Sequence, residues 1–357
     1  MISVVLVGCH QQGEAEAADR QADTVKADVV GTDLKEAIEG PIWQDNYPVI
    51  LTLDDNPVYE PEFRFRLNYL GRYYLQSTHQ QTISDWNATQ NGVPLKDFFL
   101  EVAEGYACKD RAIEALTSSK GIFLSDTDKQ EIEQQLQSNL KIYGSYSEYR
   151  RIVDSLYGSE IMFNYLTRID YLGNDLFVSL YGKDAKGLSD QQVQDYVDQM
   201  QLMAVRYLYV PYAKNDQQRN EQQQVLQSLV KTIQNSDDPV VTFERQLELN
   251  GQEEAMSYLT DGQLIIPAVM GEIFDSVYQS LSVNQISSLV TAEQGFFIMR
   301  RMPIFADMTA DESGQTLRYW AAYQYHYKNL IEAKCNQMQV EYTDNYYRFD
   351  LPALFAP

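Results

Sequence analysis

The chain has 357 residues, 44% apolar and 22% charged, which is enough for two domains, each with its own core. Acidic residues outnumber basic ones 51 to 28, and the resulting net charge of −23 disfavours nucleic acid and anionic lipid as direct ligands, since both require a basic patch. Three Cys and three His leave no metal-ligand cluster of useful spacing, no apolar run reaches about 18 residues, and no phosphate-binding Gly-rich loop occurs, so neither a metal nor a cofactor is expected.

The first nine residues end in Leu6-Val7-Gly8-Cys9, which resembles the lipobox of a bacterial lipoprotein. That resemblance implies a diacylglyceryl group on Cys9 and an anchor on the outer face of the cytoplasmic membrane. The stretch departs from such a signal in its short apolar part and in lacking an upstream Lys or Arg; the alternative is a short N-terminal strand with an incidental Cys. Residues 10–45 are polar and rich in Ala, Asp, Glu and Gln, a composition that buries too little to fold alone and suits a tether.

Order is expected from Tyr47. Val49, Leu51 and Leu53 alternate as in a strand, Asp54-Asp55-Asn56-Pro57 reads as a turn, and Pro61-Glu62 opens a helix with Phe63, Leu67 and Leu70 on one face. Residues 96–118 form a second helix carrying Phe99, Val102, Ile113 and Leu116. Ser125 is an N-cap for a helix with Ile132, Leu136 and Leu140 as its stripe. Residues 146–181 are helical with breaks near Gly158 and Gly173, and Ser189 caps the next helix.

Val205-Arg206-Tyr207-Leu208-Tyr209-Val210 reads as a strand. Val225, Leu229 and Ile233 then mark a helix, Pro239 breaks it, and Phe243, Leu247 and Leu249 mark another. Pro267 opens a helical stretch with Met270, Phe274, Val277 and Leu281, and strands near 286–291 and 296–302 flank Gly295. Residues 313–340 form an amphipathic helix with Leu317, Trp320, Ala321, Tyr327, Ile331, Cys335 and Met338 on one side, which places His326 toward solvent. The tail 340–351 alternates enough to add a strand beside Val49–Leu53.

The unit at 203–303 resembles the parvulin-type peptidyl-prolyl isomerase domain. Parvulins open on Ala-Arg-His-Ile-Leu-Val, here Val205 to Val210, and close on Gly-Tyr-His-Ile-Ile-Lys, here Gly295-Phe296-Phe297-Ile298-Met299-Arg300. The start of the ordered chain and the joint Gly121-Ile122-Phe123-Leu124-Ser125 are similar to the chaperone domain of SurA/PrsA-type proteins. The resemblance implies an α+β chain: a mostly helical SurA/PrsA-like chaperone domain at 46–202, completed by 304–357, plus a parvulin-like (FKBP-like α+β) domain. It also implies that Tyr207, Met270, Phe274 and Phe297 occupy the substrate-binding positions. Tyr207 and Phe297 stand where the family has its two core histidines, and the family's Gly-Gly-x-Leu-Gly loop is not recognisable.

An isomerase needs no covalent step; it must weaken amide resonance across a barrier of about 18–20 kcal/mol by favouring the twisted bond. Phe297 offers no polar group and Tyr207 one hydroxyl, so activity is expected to be weak or lost, and no residue is assigned a catalytic role. Met270 and Phe274 read equally well as ordinary core. Asp237-Asp238 and Glu253-Glu254 read as solvated charge, and Cys108 and Cys335 as buried free thiols rather than a bridge. The expected function is an extracytoplasmic, membrane-anchored foldase or holdase for unfolded exported proteins, with homodimerisation open. The alternatives are an active isomerase and a scaffold for one folded partner.

Overall fold

The computed structural model describes residues 47–83, 85–250, 262–267 and 269–355. Cys9, the 10–45 stretch and Glu253-Glu254 lie outside them. The fold is α+β: helices dominate, and two antiparallel sheets of three and four strands anchor them at separate places.

The first sheet starts as a hairpin. β1 (Val49–Leu53) pairs with β2 (Asn56–Tyr59), and Asp54 and Asp55 both take positive φ, 48° and 64°, closing a two-residue turn. The turn is therefore complete before Asn56, and Asn56-Pro57, expected within it, already belongs to a strand. β2 leads directly into α1 (Glu60–Thr78), with Pro61 in its first turn. A short ribbon of β3 (Thr89–Gln90) and β4 (Val93–Pro94) precedes α2 (Leu95–Ser119), whose Phe99, Ala103, Ala107 and Ala112 face the core. α3 (Asp126–Tyr143) begins with a capping box between Ser125 and Asp128.

α4 (Tyr146–Tyr157) ends at Gly158, which takes φ 79°, and α5 (Glu160–Tyr181) then runs through Gly173 without a break. Gly173 is needed for approach rather than for bending: the Tyr327 hydroxyl donates to its carbonyl at 2.8 Å, and a Cβ there would lie 3.2 Å from that oxygen. α6 (Asp190–Met200) begins with a capping box between Ser189 and Gln192.

The second sheet has the order β6-β5-β8-β7, built from β5 (Met203–Pro211), β6 (Gln263–Ile265), β7 (Val290–Ala292) and β8 (Gly295–Arg301). β5 and β8 pair along seven residues, from Val205 opposite Arg301 to Pro211 opposite Gly295. Gly295 starts β8 rather than sitting between strands, because a Cβ would lie 2.6 Å from the Val210 carbonyl oxygen. One face carries Leu208, Phe296 and Ile298 against α7 (Asp216–Gln234) and α8 (Pro239–Leu249). The other carries Val205, Phe297 and Met299 against α9 (Glu272–Ser280).

Three expectations shift here. α7 buries Leu226, Val230 and Ile233 and leaves Val225 68% exposed, because steps of four residues overrun the 3.6-residue turn and drift off the face. α9 starts only after Gly271, φ 91°, so Met270 lies in the preceding turn rather than on the helix. Asp238 is the N-cap of α8, its carboxylate accepting from the Val240 and Val241 amides, rather than plain solvated charge.

After the second sheet the chain returns to the helical body. α10 (Leu317–Trp320), a π-helical segment (Ala321–Tyr327) and α11 (Lys328–Cys335) form one continuous rod. The π segment widens the turn and rotates the stripe, so His326 is half-buried against the Tyr325 ring instead of facing solvent. β9 (Val340–Tyr342) then pairs with β1, as the alternation of the tail suggested. Asp54 accepts from the Gln339 amide at 2.9 Å and pairs with Lys334 at 3.3 Å, holding the same junction. The tail ends in α12 (Asp344–Tyr347) and α13 (Leu351–Leu354). One apolar core accordingly contains Ile50, Phe63 and Phe99 from before the second sheet and Leu317, Ile331 and Leu351 from after it. Cys108 on α2 and Cys335 on α11 form a disulfide with their Cα atoms 5.6 Å apart, correcting the expectation of free thiols. The packing of α11 on α2 brings the buried Cys108 and the partly buried Cys335 together, which spacing in sequence cannot reveal.

Candidate functional site

Alternation along β5 sends Val205, Tyr207 and Tyr209 to one face, and the antiparallel register sets Tyr207 opposite Met299 and Tyr209 opposite Phe297. α9 lays Phe274 on the same face. Tyr207, Phe274 and Phe297 meet as a triad in which each ring touches the other two: centroids are 6.0 Å apart for Tyr207–Phe274, 5.6 Å for Tyr207–Phe297 and 5.5 Å for Phe274–Phe297, all edge to face. Edge-to-face contact is the arrangement aromatic quadrupoles prefer. Phe274 is fully buried and Phe297 is 2% exposed, so the rings fill one another's space. Met270 packs half-buried against the same cluster from the turn before α9.

Two neighbours were not singled out from sequence. The Tyr209 ring packs tilted against Phe297, centroids 4.9 Å apart, and its hydroxyl donates to the Gln294 carbonyl at 2.9 Å. Tyr278 accepts from the Ala204 amide at 3.0 Å, beneath the Arg301 guanidinium, which lies 4.8 Å above its ring. The signal for Tyr209 was available, since it lies two residues from Tyr207 on the same face of a strand. Burial pushes the Tyr207 hydroxyl above its ordinary range, so it stays protonated and cannot act as a base. The cluster is built from aliphatic and aromatic side chains. Its polar atoms include the hydroxyls of Tyr207, Tyr209 and Tyr278. Among the described residues no His, Cys, Asp and Glu group is placed to hold a metal ion.

Beside this face, between α6 and the end of β8, lies a cleft of about 630 Å³ lined by Val197, Leu202, Tyr278, Val283, Met302 and Ile304 among others. Both chain crossings into the second sheet sit at its edge, where the Met302 amide donates to the Ala204 carbonyl at 2.8 Å.

The chain is similar to bacterial PrsA-type foldases. The peptidylprolyl isomerase PrsA of Bacillus cereus is 16% identical over 78% of this chain and 99% of its own, with a TM-score of 0.30. The foldase PrsA of Lactococcus lactis is 8% identical over 87% of this chain and all of its own, with a TM-score of 0.28. A SurA-like chaperone of Campylobacter jejuni is 10% identical over 83% and 99%, with a TM-score of 0.26. No protein-family model and no curated protein matches the chain. At such TM-scores these likenesses add nothing to what the residues and their packing establish.

Proposed function

We propose that this protein is an extracytoplasmic chaperone that holds unfolded exported polypeptides, and that its parvulin-like unit at 203–303 has weak or no isomerase activity. The observation that carries the reading is the distribution of apolar surface. In the triad of Tyr207, Phe274 and Phe297 the two Phe rings are buried against one another, whereas the neighbouring cleft is open and sets apolar Val197, Leu202, Val283, Met302 and Ile304 among polar side chains such as Gln194 and Gln279. A helical chaperone domain at 46–202 with 304–357 would form the opposite wall of that cleft. The disulfide between Cys108 and Cys335 supports an oxidising, extracytoplasmic compartment. The lipobox-like Leu6–Cys9 supports a lipid anchor at Cys9.

Suppression of aggregation of a chemically unfolded client tests the holdase: no suppression at equimolar protein sinks it. Proline-peptide isomerisation is to be compared between the native chain and Tyr207→His/Phe297→His. The native chain is expected to match background and the double variant to gain rate. A native rate well above background would favour the active isomerase instead, with the Tyr207 hydroxyl as its polar group. Mass spectrometry of membrane-extracted protein should find a diacylglyceryl-modified Cys9, and Cys9→Ser should release the chain from the membrane.

A further inference from the structure

Near the end of the chain, β9 and α12 set Tyr342, Tyr346 and Tyr347 so that each ring touches the other two, with centroids 4.5 Å, 5.6 Å and 6.1 Å apart. Tyr346 is half-buried and packs on the core ring of Phe63 at 5.9 Å, whereas Tyr342 is 42% and Tyr347 70% exposed. The platform is fixed to β1: the Thr343 amide donates to the Ile50 carbonyl at 3.1 Å and its hydroxyl to the Val49 carbonyl at 2.7 Å. Beside it, α2 carries Asp97, Glu101 and Glu104 at steps of four and three residues, on one face. The Tyr342 hydroxyl donates to the Glu104 carboxylate at 3.0 Å. Burial, reinforced by Glu104 and Glu101, holds that hydroxyl up at about 12, and burial with the same two carboxylates and Asp97 raises Tyr346. All three acids are thus within electrostatic reach of the rings. The nearby cations have partners: Arg348 pairs with Asp344 at 3.3 Å, Lys109 with Glu332 at 3.9 Å, and Arg64 with Glu60. Lys96 makes no ion pair among the described residues, and setting it against its neighbour Asp97 still leaves Glu101 and Glu104 in excess. The surface is aromatic and negative.

We propose that this platform binds a basic polypeptide segment, an arginine guanidinium lying over the Tyr347 ring and toward the Glu101 carboxylate. The face of an aromatic ring attracts a cation, and a planar guanidinium stacks on it while keeping its edge donors free for a carboxylate, which a compact ammonium cannot do. The fold makes the same pairing elsewhere, with Arg219 4.7 Å above the Tyr212 ring and Arg64 5.4 Å above Phe349, a ring that also packs on Phe63. A purely apolar partner fits poorly, since it would strip water from Glu101 and Glu104 and offer them nothing in return. The proposal goes beyond the chaperone reading and stands without it, because the platform shares no residue with the cleft beside β8 and its test needs no unfolded client.

The test is fluorescence anisotropy on the full chain with labelled peptides that carry Arg, Lys or Gln at the same positions of a Gly-Ser background. The Arg peptide should bind at least about tenfold more tightly than the Gln peptide and about threefold more tightly than the Lys peptide, and raising salt to about 0.5 M should narrow both gaps. Tyr347→Ala leaves the net charge unchanged and should remove the preference for Arg over Lys. Glu101→Gln should weaken both cationic peptides about threefold, whereas Glu133→Gln, the same loss of charge at an exposed position of α3, should leave them unchanged. Tyr347 and Glu101 are exposed, so both variants should keep the native circular dichroism. Equal binding of the Arg and Gln peptides, or an Arg preference that survives in Tyr347→Ala, overturns the proposal. Equal weakening by Glu101→Gln and Glu133→Gln also overturns it, by assigning the affinity to the diffuse charge of the chain. A dimer in sedimentation that Tyr347→Ala dissociates and the Arg peptide leaves intact overturns it too, in favour of a second copy on the platform. Loss of client holding by the native chain would instead strike at the chaperone reading alone.

Discussion

The packing of Phe274 decides whether the parvulin-like unit holds an open pocket or a closed core, and Phe274→Ala measures it. The side chain is 0% exposed and meets two rings edge to face, at 6.0 Å and 5.5 Å. Truncating a buried Phe costs about 3–5 kcal/mol, of which each lost aromatic pair accounts for about 0.5–1.5 kcal/mol. About 4 kcal/mol is a large share of the roughly 5–15 kcal/mol by which a domain is stable. Urea unfolding followed by near-ultraviolet circular dichroism of the tyrosines should show the midpoint falling steeply. Ile273→Ala, one residue away on the same helix but 56% exposed, should stay within about 0.5 kcal/mol of the native chain. A loss below about 1 kcal/mol for Phe274→Ala would refute the closed core, because only a side chain facing vacant space is removed so cheaply.

Burial pushes the Glu62 carboxyl up to about 7 from 4.5, with Arg111 and Arg66 opposing the rise. The folded chain thus holds that proton more tightly than the unfolded one, so the associated stability is present below about pH 4.5 and lost as pH rises through about 7. At 1.36 kcal/mol per pH unit it amounts to about 3 kcal/mol at most, and Glu62→Gln should flatten that part of the stability–pH curve; an unchanged slope contradicts it. Opening the disulfide in Cys108→Ser/Cys335→Ser, at a separation of 227 residues, should cost roughly 5 kcal/mol by loop entropy, read as a lowered urea midpoint. Gly295→Ala should destabilise the second sheet by about 1–3 kcal/mol, because the new Cβ meets the Val210 carbonyl and the Tyr209 ring; a neutral result would mean that β5 and β8 part easily.

Much of this architecture was legible because its determinants are local. The β-branched and aromatic residues of β5 and β8, the caps Ser125 and Ser189 and the break at Gly158 all act within a few residues of themselves. What was misread depends on partners far away. Gly173 looked like a helix breaker until Tyr327, 154 residues on, explained it. The rotation of His326 goes with a π segment, which the spacing of apolar residues does not reveal. At the candidate site, the resemblance assigned Tyr207, Met270, Phe274 and Phe297 to substrate-binding positions but could not tell whether they bordered a space or filled it. That distinction is set by ring orientations across three elements.

The bridge between Cys108 and Cys335 also orders events in time. A ribosome adding about 5–20 residues per second delivers the second cysteine roughly 10–45 s after the first, once the entire second sheet has been made. Until then Cys108 carries a reactive thiol, β1 lacks its neighbour β9, and half of the helical core has nothing to close against. Closure of that ring is therefore a record that the chain has been made at least as far as Cys335 and has met an oxidising compartment. Any chain that stops before Cys335 keeps an open thiol, and can be told from a finished molecule by that alone.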